Sequence, residues 1–183
     1  MRNQRRNPRQ SGFTLIEVMV SMVILVVGVL SVADFFAQGL QASYQTQIQY
    51  IAQQKAQEAM ETIFTARDTK ILTWNQILNT SQGGVFLTGP QPLCASGPDG
   101  LFGTSDDITS QPDAITVAPG PDGIFGTADD IIVNLNPWMT RTIAITNMAP
   151  ANPNLNKVTI TINWIYEGRQ GQYVLNSYIS NYS

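Results

Sequence analysis

Six aspartates in two copies of one short segment are the side chains whose type and spacing best suit ion binding. The copies are GPDGLFGTSDDI at 97–108 and GPDGIFGTADDI at 120–131, and they are identical at ten of their twelve positions. Each joins a Pro-Asp-Gly turn to an Asp-Asp pair, so hard oxygen ligands lie on a glycine-rich loop, which suits Ca²⁺. The predicted ligands are Asp99, Asp106, Asp107, Asp122, Asp129 and Asp130.

An alternative role for these aspartates is to stabilise turns by accepting hydrogen bonds from nearby backbone N–H groups in a solvated loop. Neither copy has the D-x-[DN]-x-[DN]-G spacing or the distal glutamate of an EF-hand. The patterns therefore leave a calcium site and a turn-forming role both open. The connection that holds the copies, 69–137, is long, which is typical of an exposed functional surface.

A single carboxylate, Glu17, lies in an otherwise uncharged apolar segment at 13–33. Placing a carboxylate inside a bilayer costs about 2.5 to 3.5 kcal/mol, so such a residue is a functional candidate with an implied partner. The alternative is that Glu17 lies close enough to the membrane surface to remain hydrated.

Composition argues against several kinds of function. The chain has no histidine, which removes the commonest general base and zinc ligand. Cys94 is the only cysteine, so no disulfide can form within the chain. After the first twelve residues, six basic side chains accompany thirteen acidic ones, which is not typical of a nucleic-acid-binding protein. We therefore expect no catalytic residues, no nucleic-acid partner and, apart from Ca²⁺, no cofactor.

The apolar segment at 13–33 is 21 residues long, enough for an α-helix to cross about 30 Å of hydrocarbon. Four arginines precede it and none follows closely, so the positive-inside rule places the N-terminus in the cytoplasm and the rest outside. No convincing A-x-A cleavage site of a secretory signal peptide follows the segment. The sequence instead has a sharp boundary before it, between Gly12 and Phe13.

The string GFTLIE at 12–17, between a basic leader and a long apolar run, resembles the processing site of type IV prepilins and type II secretion pseudopilins. The resemblance implies that a prepilin peptidase cuts after Gly12 and methylates the new amine of Phe13. It also implies that Glu17 pairs with this amine on an adjacent subunit inside a filament. The implied location is the inner membrane, and after assembly an extracellular or periplasmic filament of pilin-like subunits.

The rest of the pattern predicts an α+β fold. No proline lies between Pro8 and Pro90, so one helix can run from an apolar half at 13–36 through an amphipathic half at 37–68. The segment 138–183 predicts three antiparallel strands, the central one burying alternate residues against the helix. This arrangement agrees with the pilin architecture that the resemblance implies. The alternating face consists of Val158, Ile160, Ile162, Trp164 and Tyr166, and the helix stripe of Leu40, Tyr44, Ile48, Ile51, Lys55, Ala59, Met60, Ile63 and Phe64.

The resulting interpretation is a structural minor pilin with five parts: a leader at 1–12, the two helix halves, the connection at 69–137 and the sheet at 138–183. Segments such as ILVVGVL and NWIYEGRQGQYVLNSYIS resemble the minor pilins called type IV pilus modification protein V and the I-type minor pseudopilin. Two alternatives remain open, a type II secretion minor pseudopilin and a membrane-anchored extracellular adhesin or calcium-binding module that never joins a filament.

Overall fold

The computed structural model describes residues 12–166 and 168–181, and the chain divides into a unit ending at Thr46 and a unit beginning at Gln47. The four arginines of the expected leader lie outside the described residues. One α-helix, α1, spans Leu15–Asp68, and two short 3₁₀ helices span Trp74–Gln76 and Thr80–Gln82. The eight strands are β1 (Gln91–Pro92), β2 (Cys94–Ala95), β3 (Ile108–Pro112), β4 (Ala114–Ala118), β5 (Ile131–Asn134), β6 (Met139–Met148), β7 (Asn152–Tyr166) and β8 (Arg169–Ser180).

In the first unit, every described side chain is exposed, including large apolar ones such as Phe13 and Leu30. Among the described residues, α1 is the helix that is long and apolar enough to cross a membrane, and no side chain of its most apolar stretch is buried. An apolar surface of this extent requires lipid or other protein to cover it. The predicted transmembrane helix is therefore confirmed by length and composition.

The second unit is built on a four-stranded antiparallel sheet in the order β1-β6-β7-β8. Strands β6, β7 and β8 form the predicted meander, and β7 lies inside the sheet between its two sequence neighbours. β7 begins at Asn152, earlier than the alternation starting near Lys157 predicts. It does so because the ladder with β6 continues across a register shift to the pair Met148 and Asn152.

The core lies between this sheet and the part of α1 that belongs to the second unit. Val158, Ile160 and Ile162 of β7 are buried and Trp164 packs at the edge of the same cluster, as the alternation predicts, whereas Tyr166 at the end of the predicted face is 39% exposed. Burying each large apolar side chain contributes about 1.5 to 3 kcal/mol. The buried line on α1 is richer in alanine than the predicted stripe, and such small side chains permit a close approach of helix to sheet. It consists of Ala52, Ala56, Ala59, Met60, Ile63 and Ala66.

Two buried asparagine side chains form hydrogen bonds between the start of the connection and the sheet. The side chain of Asn79 donates to the carbonyl of Ile143 at 2.8 Å and accepts from the amide of Ile145 at 2.7 Å. It thus satisfies backbone groups at the edge of β6 as a neighbouring strand would. Asn156 on β7 donates to the carbonyl of Ile77 at 3.0 Å.

The rest of the connection forms two small ribbons, each a pair of antiparallel strands. The first ribbon pairs β2 with β3 and carries the segment 97–108, the first loop. The second ribbon pairs β4 with β5 and carries the segment 120–131, the second loop. Both copies of the repeated segment therefore lie at ribbon ends, an arrangement that the sequence pattern did not predict.

Candidate functional site

The start of α1 holds Glu17 in a hydrogen-bonded cap. Oε2 of Glu17 accepts from the Thr14 amide at 2.9 Å and from the Thr14 hydroxyl at 2.8 Å. The amide of Glu17 in turn donates to Oγ1 of Thr14 at 3.3 Å. This reciprocal arrangement is a capping box, which satisfies backbone donors that the first helical turn leaves without partners.

The cap gives Glu17 a role within its own chain that the sequence analysis missed, although Thr-x-x-Glu before an apolar run is the signature of this motif. A carboxylate in the first turn also interacts favourably with the positive end of the helix dipole. Glu17 and Phe13 line an open groove of about 300 Å³ on the helix surface. The other lining residues are Val18, Ser21, Met22 and Leu25, so an apolar groove has one carboxylate beside it.

The predicted processing site lies just before this cap. Gly12 and Phe13 precede the helix start at Leu15, and both are exposed, Phe13 to 88%. A Cβ atom added at Gly12 would meet nothing within 4 Å. Packing against residues 12–166 and 168–181 therefore does not require glycine at this position.

In the first loop, the carboxylates accept hydrogen bonds from the loop's own backbone and threonine. Asp99 Oδ1 accepts from the Leu101 amide at 2.8 Å, and Asp107 Oδ2 accepts from the Gly103 amide at 2.8 Å. Asp106 closes the loop, since its Oδ2 accepts from the Asp99 amide at 3.4 Å and its Oδ1 from the Thr104 hydroxyl at 2.7 Å.

The second loop repeats these four hydrogen bonds, but it lacks the further bond of the first loop in which Oδ1 of Asp107 accepts from the Thr104 hydroxyl at 3.4 Å. Asp122 Oδ1 accepts from the Ile124 amide at 2.8 Å, and Asp130 Oδ2 accepts from the Gly126 amide at 2.6 Å. Asp129 accepts from the Asp122 amide at 3.3 Å and from the Thr127 hydroxyl at 2.6 Å. The two segments therefore share one local conformation, including positive φ at the corresponding glycines, which only glycine adopts easily. These are Gly100, Gly103, Gly123 and Gly126.

These contacts are those of turn-forming aspartates. Among residues 12–166 and 168–181, no group of three or more His, Cys, Asp or Glu side chains is placed to hold a metal ion. The threonine hydroxyls lower the pKa of Asp106 and of Asp129, because they donate hydrogen bonds to the charged form. Calcium binding by the six aspartates stays a prediction, whereas the turn-forming role has direct geometric support.

The two loops differ in what surrounds them. In the first loop, Leu101 is 2% exposed and Phe102 is 8% exposed, and both belong to the core. The equivalent Ile124 and Phe125 of the second loop are 61% and 64% exposed. One copy is therefore docked within its own chain and the other is not.

The first loop docks on Arg141, a residue that the sequence analysis did not single out. The guanidinium carbon of Arg141 lies 4.3 Å from the centre of the Phe102 ring, a cation–π contact. Arg141 is 1% exposed, and its three guanidinium nitrogens have no hydrogen-bond partner among the described residues. Burial lowers the pKa of Arg141, and the negative charge of Asp107 nearby opposes this shift.

Two partly buried ion pairs in the second unit share Lys55. Lys55 Nζ on α1 is 2.9 Å from Glu58 Oε2 and 3.0 Å from Asp113 Oδ1. Asp113 stands between β3 and β4, so the contact ties the helix to the point where the two ribbons meet. Lys55 belongs to the predicted apolar stripe, and its charge is accommodated there because both carboxylates approach it.

Comparison with known proteins finds one family model, the prokaryotic N-terminal methylation motif, which matches residues 7–33. No curated protein and no solved structure matches the chain. The match covers Gly12, Phe13 and Glu17 together with the apolar start of α1. It supports a type IV prepilin-like protein, and the α+β fold with a long N-terminal helix is pilin-like.

Proposed function

We propose that this protein is a structural minor pilin, a subunit that inserts its apolar helix into a type IV pilus or a related filament. The observation that carries the proposal is the methylation motif at residues 7–33, which covers the start of a helix whose most apolar stretch is wholly exposed. Proteins of this type act as structural subunits, and a non-enzymatic role for this chain is part of the proposal.

Processing is proposed to occur between Gly12 and Phe13, followed by methylation of the Phe13 amine. The bond lies in exposed backbone before α1, where a peptidase can reach it. Glycine at position 12 is not required by packing against the described part of the chain, which favours a requirement imposed by the enzyme that recognises it. Cleavage removes four arginines that an apolar filament core would exclude.

Glu17 is proposed to exchange its intrachain cap for the amine of Phe13 on a neighbouring subunit during assembly. Opposite charges about 4 Å apart attract by about 1 kcal/mol in water and by more in a drier environment. Such pairing offsets the cost of burying both groups and fixes the axial register of neighbouring helices. The groove beside Glu17 offers apolar surface for the incoming chain.

The proposed topology places residues before Gly12 in the cytoplasm and the second unit outside the inner membrane, with the mature subunit in an extracellular or periplasmic filament. The four leader arginines support this orientation through the positive-inside rule. The proposed partners are prepilin peptidase and other pilins. Within the family, type IV pilus modification protein V and the I-type pseudopilin of type II secretion are the candidates that the sequence resemblance suggests.

Mass spectrometry of the protein from cells with an active prepilin peptidase tests the proposal. The expected mature N-terminus is Phe13 carrying one methyl group, and Gly12→Ala is expected to accumulate as the longer, membrane-retained precursor. A native N-terminus at Met1 in such cells would overturn the minor-pilin proposal and favour a membrane-anchored adhesin instead.

A further inference from the structure

The two loops can be compared with each other, because they have nearly the same sequence and backbone conformation but the central apolar residues of one are buried and those of the other are exposed. A Cβ atom added at Gly103 in the first loop would lie 2.9 Å from Cδ1 of Ile143. The same atom added at the equivalent Gly126 would meet nothing within 4 Å. The first loop thus shows which surface this loop conformation fits, and the second loop presents the same groups without that surface.

The surface that receives the first loop has three components. Arg141 lies against the face of the Phe102 ring. Ile143 closes against Gly103, and the carbonyl of Gly103 accepts a hydrogen bond from the Leu87 amide at 2.7 Å. The receiving surface therefore combines an arginine, an aliphatic side chain and a backbone N–H group that donates to the docked loop.

The second loop carries the corresponding apolar groups in exposed form, beside a partly buried aspartate. Phe125 takes the place of Phe102, and Asp130 takes the place of Asp107, whose charge acts on Arg141 in the docked copy. Oδ1 of Asp130 is shielded from solvent and has no hydrogen-bond partner among the described residues. The adjoining strands extend the apolar surface through Val117, Ile131, Ile132 and Val133.

We propose that the second loop is a docking site for a different protein, one that presents an arginine flanked by aliphatic side chains. The arginine stacks on Phe125 as Arg141 stacks on Phe102, and its positive charge lies close to the carboxylate of Asp130, so the apolar and the charged groups of the loop are both matched. A second copy of this chain does not supply that surface, because its own Arg141 is 1% exposed beneath Phe102. The inference concerns the second unit alone and goes beyond the proposed assembly through α1.

Site-specific photocrosslinking of the full-length protein in its own cells tests the inference. A photoreactive phenylalanine analogue replaces Phe125, and a control protein carries it at Val174, which is exposed on β8. The expected result is a crosslink from position 125 to one other protein, at a peptide that contains arginine. A crosslink only to another copy of this chain, a peptide without arginine, an equal yield of the same product from position 174, or no protein crosslink would each overturn it.

Asp130→Asn supplies a second, independent readout. Asparagine retains an oxygen for the Gly126 amide but removes the negative charge that attracts the arginine. The crosslink yield from position 125 is expected to fall at least about tenfold, as for loss of the attraction between two close opposite charges. An unchanged yield in Asp130→Asn, with the melting temperature equal to that of the unmodified protein, would overturn the assignment of arginine.

Discussion

The indole ring of Trp164 on β7 lies over Gly171, its cross-strand partner on β8. A Cβ atom at position 171 would overlap the ring, so the absence of a side chain is what allows Trp164 to cover the strand pair at the edge of the core. Glycine in a strand weakens the pairing of that strand with its neighbour, and an aromatic side chain that covers the glycine from the neighbouring strand restores part of the lost stability.

Gly171→Ala is therefore expected to destabilise the protein by about 1 to 3 kcal/mol, the usual cost of overpacking. Thermal unfolding of the full-length protein in detergent measures the effect. Gly39→Ala is the control, because position 39 is helical and a Cβ there meets nothing within 4 Å. Alanine at position 39 is expected to be neutral or stabilising, and equal melting of the two variants would contradict the close Trp164 contact.

A second prediction compares adjacent positions on β7. Ile162 is fully buried in the core, whereas Thr161 lies on the opposite face and pairs with Thr142 and Val174. Ile162→Asp removes about 1.5 to 3 kcal/mol of apolar burial and adds an uncompensated charge, so we expect the second unit to unfold. Thr161→Asp is expected to change the melting temperature little. Similar melting of both variants would show that the register of β7 is wrong.

The sequence predicts β7 well because the alternation of apolar and polar residues follows directly from the burial of one face of the strand. Val158, Ile160 and Ile162 are buried and Thr161 is not. The capping box of Thr14 and Glu17 was equally predictable, since its spacing is a local signal. The two loops mark the limit of such prediction. Ten identical positions in twelve give one local conformation, but the docking of one loop depends on Arg141, which lies far away in the sequence and carries no local pattern.

Buried amides show the same limit. Asn79 and Asn156 are buried because backbone groups of distant segments need partners there. Asparagine is usually exposed, so residue type alone predicts the opposite. These positions become enclosed only when the connection packs against β6 and β7, and a polar side chain is then needed to pair with the backbone groups there.

A third prediction concerns calcium. If the loop aspartates bind Ca²⁺ at the micromolar-to-millimolar level of extracellular sites, titration of the full-length protein gives heat and raises the melting temperature. Both effects are expected to disappear in the Asp106→Ala, Asp129→Ala double variant, which loses the corresponding carboxylate of each loop. Absence of heat and of any melting shift with Ca²⁺ would leave the aspartates with the turn-forming role alone.

A fourth prediction concerns pH. The pKa values of Asp106 and Asp129 are lowered mainly by hydrogen bonds from Thr104 and Thr127. A carboxyl whose pKa is lower in the folded state stabilises the folded protein at pH values above its unfolded-state pKa of about 3.9. This contribution to the free energy of unfolding is lost as the pH falls through the folded-state pKa. Titration of the carboxyl ¹³C shifts by NMR is expected to give higher pKa values for Asp106 in Thr104→Val and for Asp129 in Thr127→Val. Unchanged values would contradict the threonine contacts as the cause.

The last prediction separates the two roles of Glu17. Glu17→Gln keeps the capping box, because glutamine at this position also accepts from the backbone of Thr14, but it removes the negative charge. Thr14→Ala does the reverse, since it removes the hydroxyl of the cap and leaves the carboxylate. If Glu17 acts only within its own helix, Thr14→Ala is the more harmful change, costing about 1 kcal/mol as for loss of other N-caps.

If Glu17 pairs with the amine of a neighbouring subunit, the order is reversed, because an amide cannot replace the charge that offsets burial of the amine. We expect both variants to be cleaved after Gly12, Thr14→Ala to enter sheared filaments nearly as the unmodified protein does, and Glu17→Gln to be largely excluded from them. Immunoblotting of sheared filaments against membrane fractions measures this distribution, and mass spectrometry of the same samples confirms the cleavage. Equal incorporation of Glu17→Gln and the unmodified protein would show that the carboxylate serves the helix cap and not the contact between subunits.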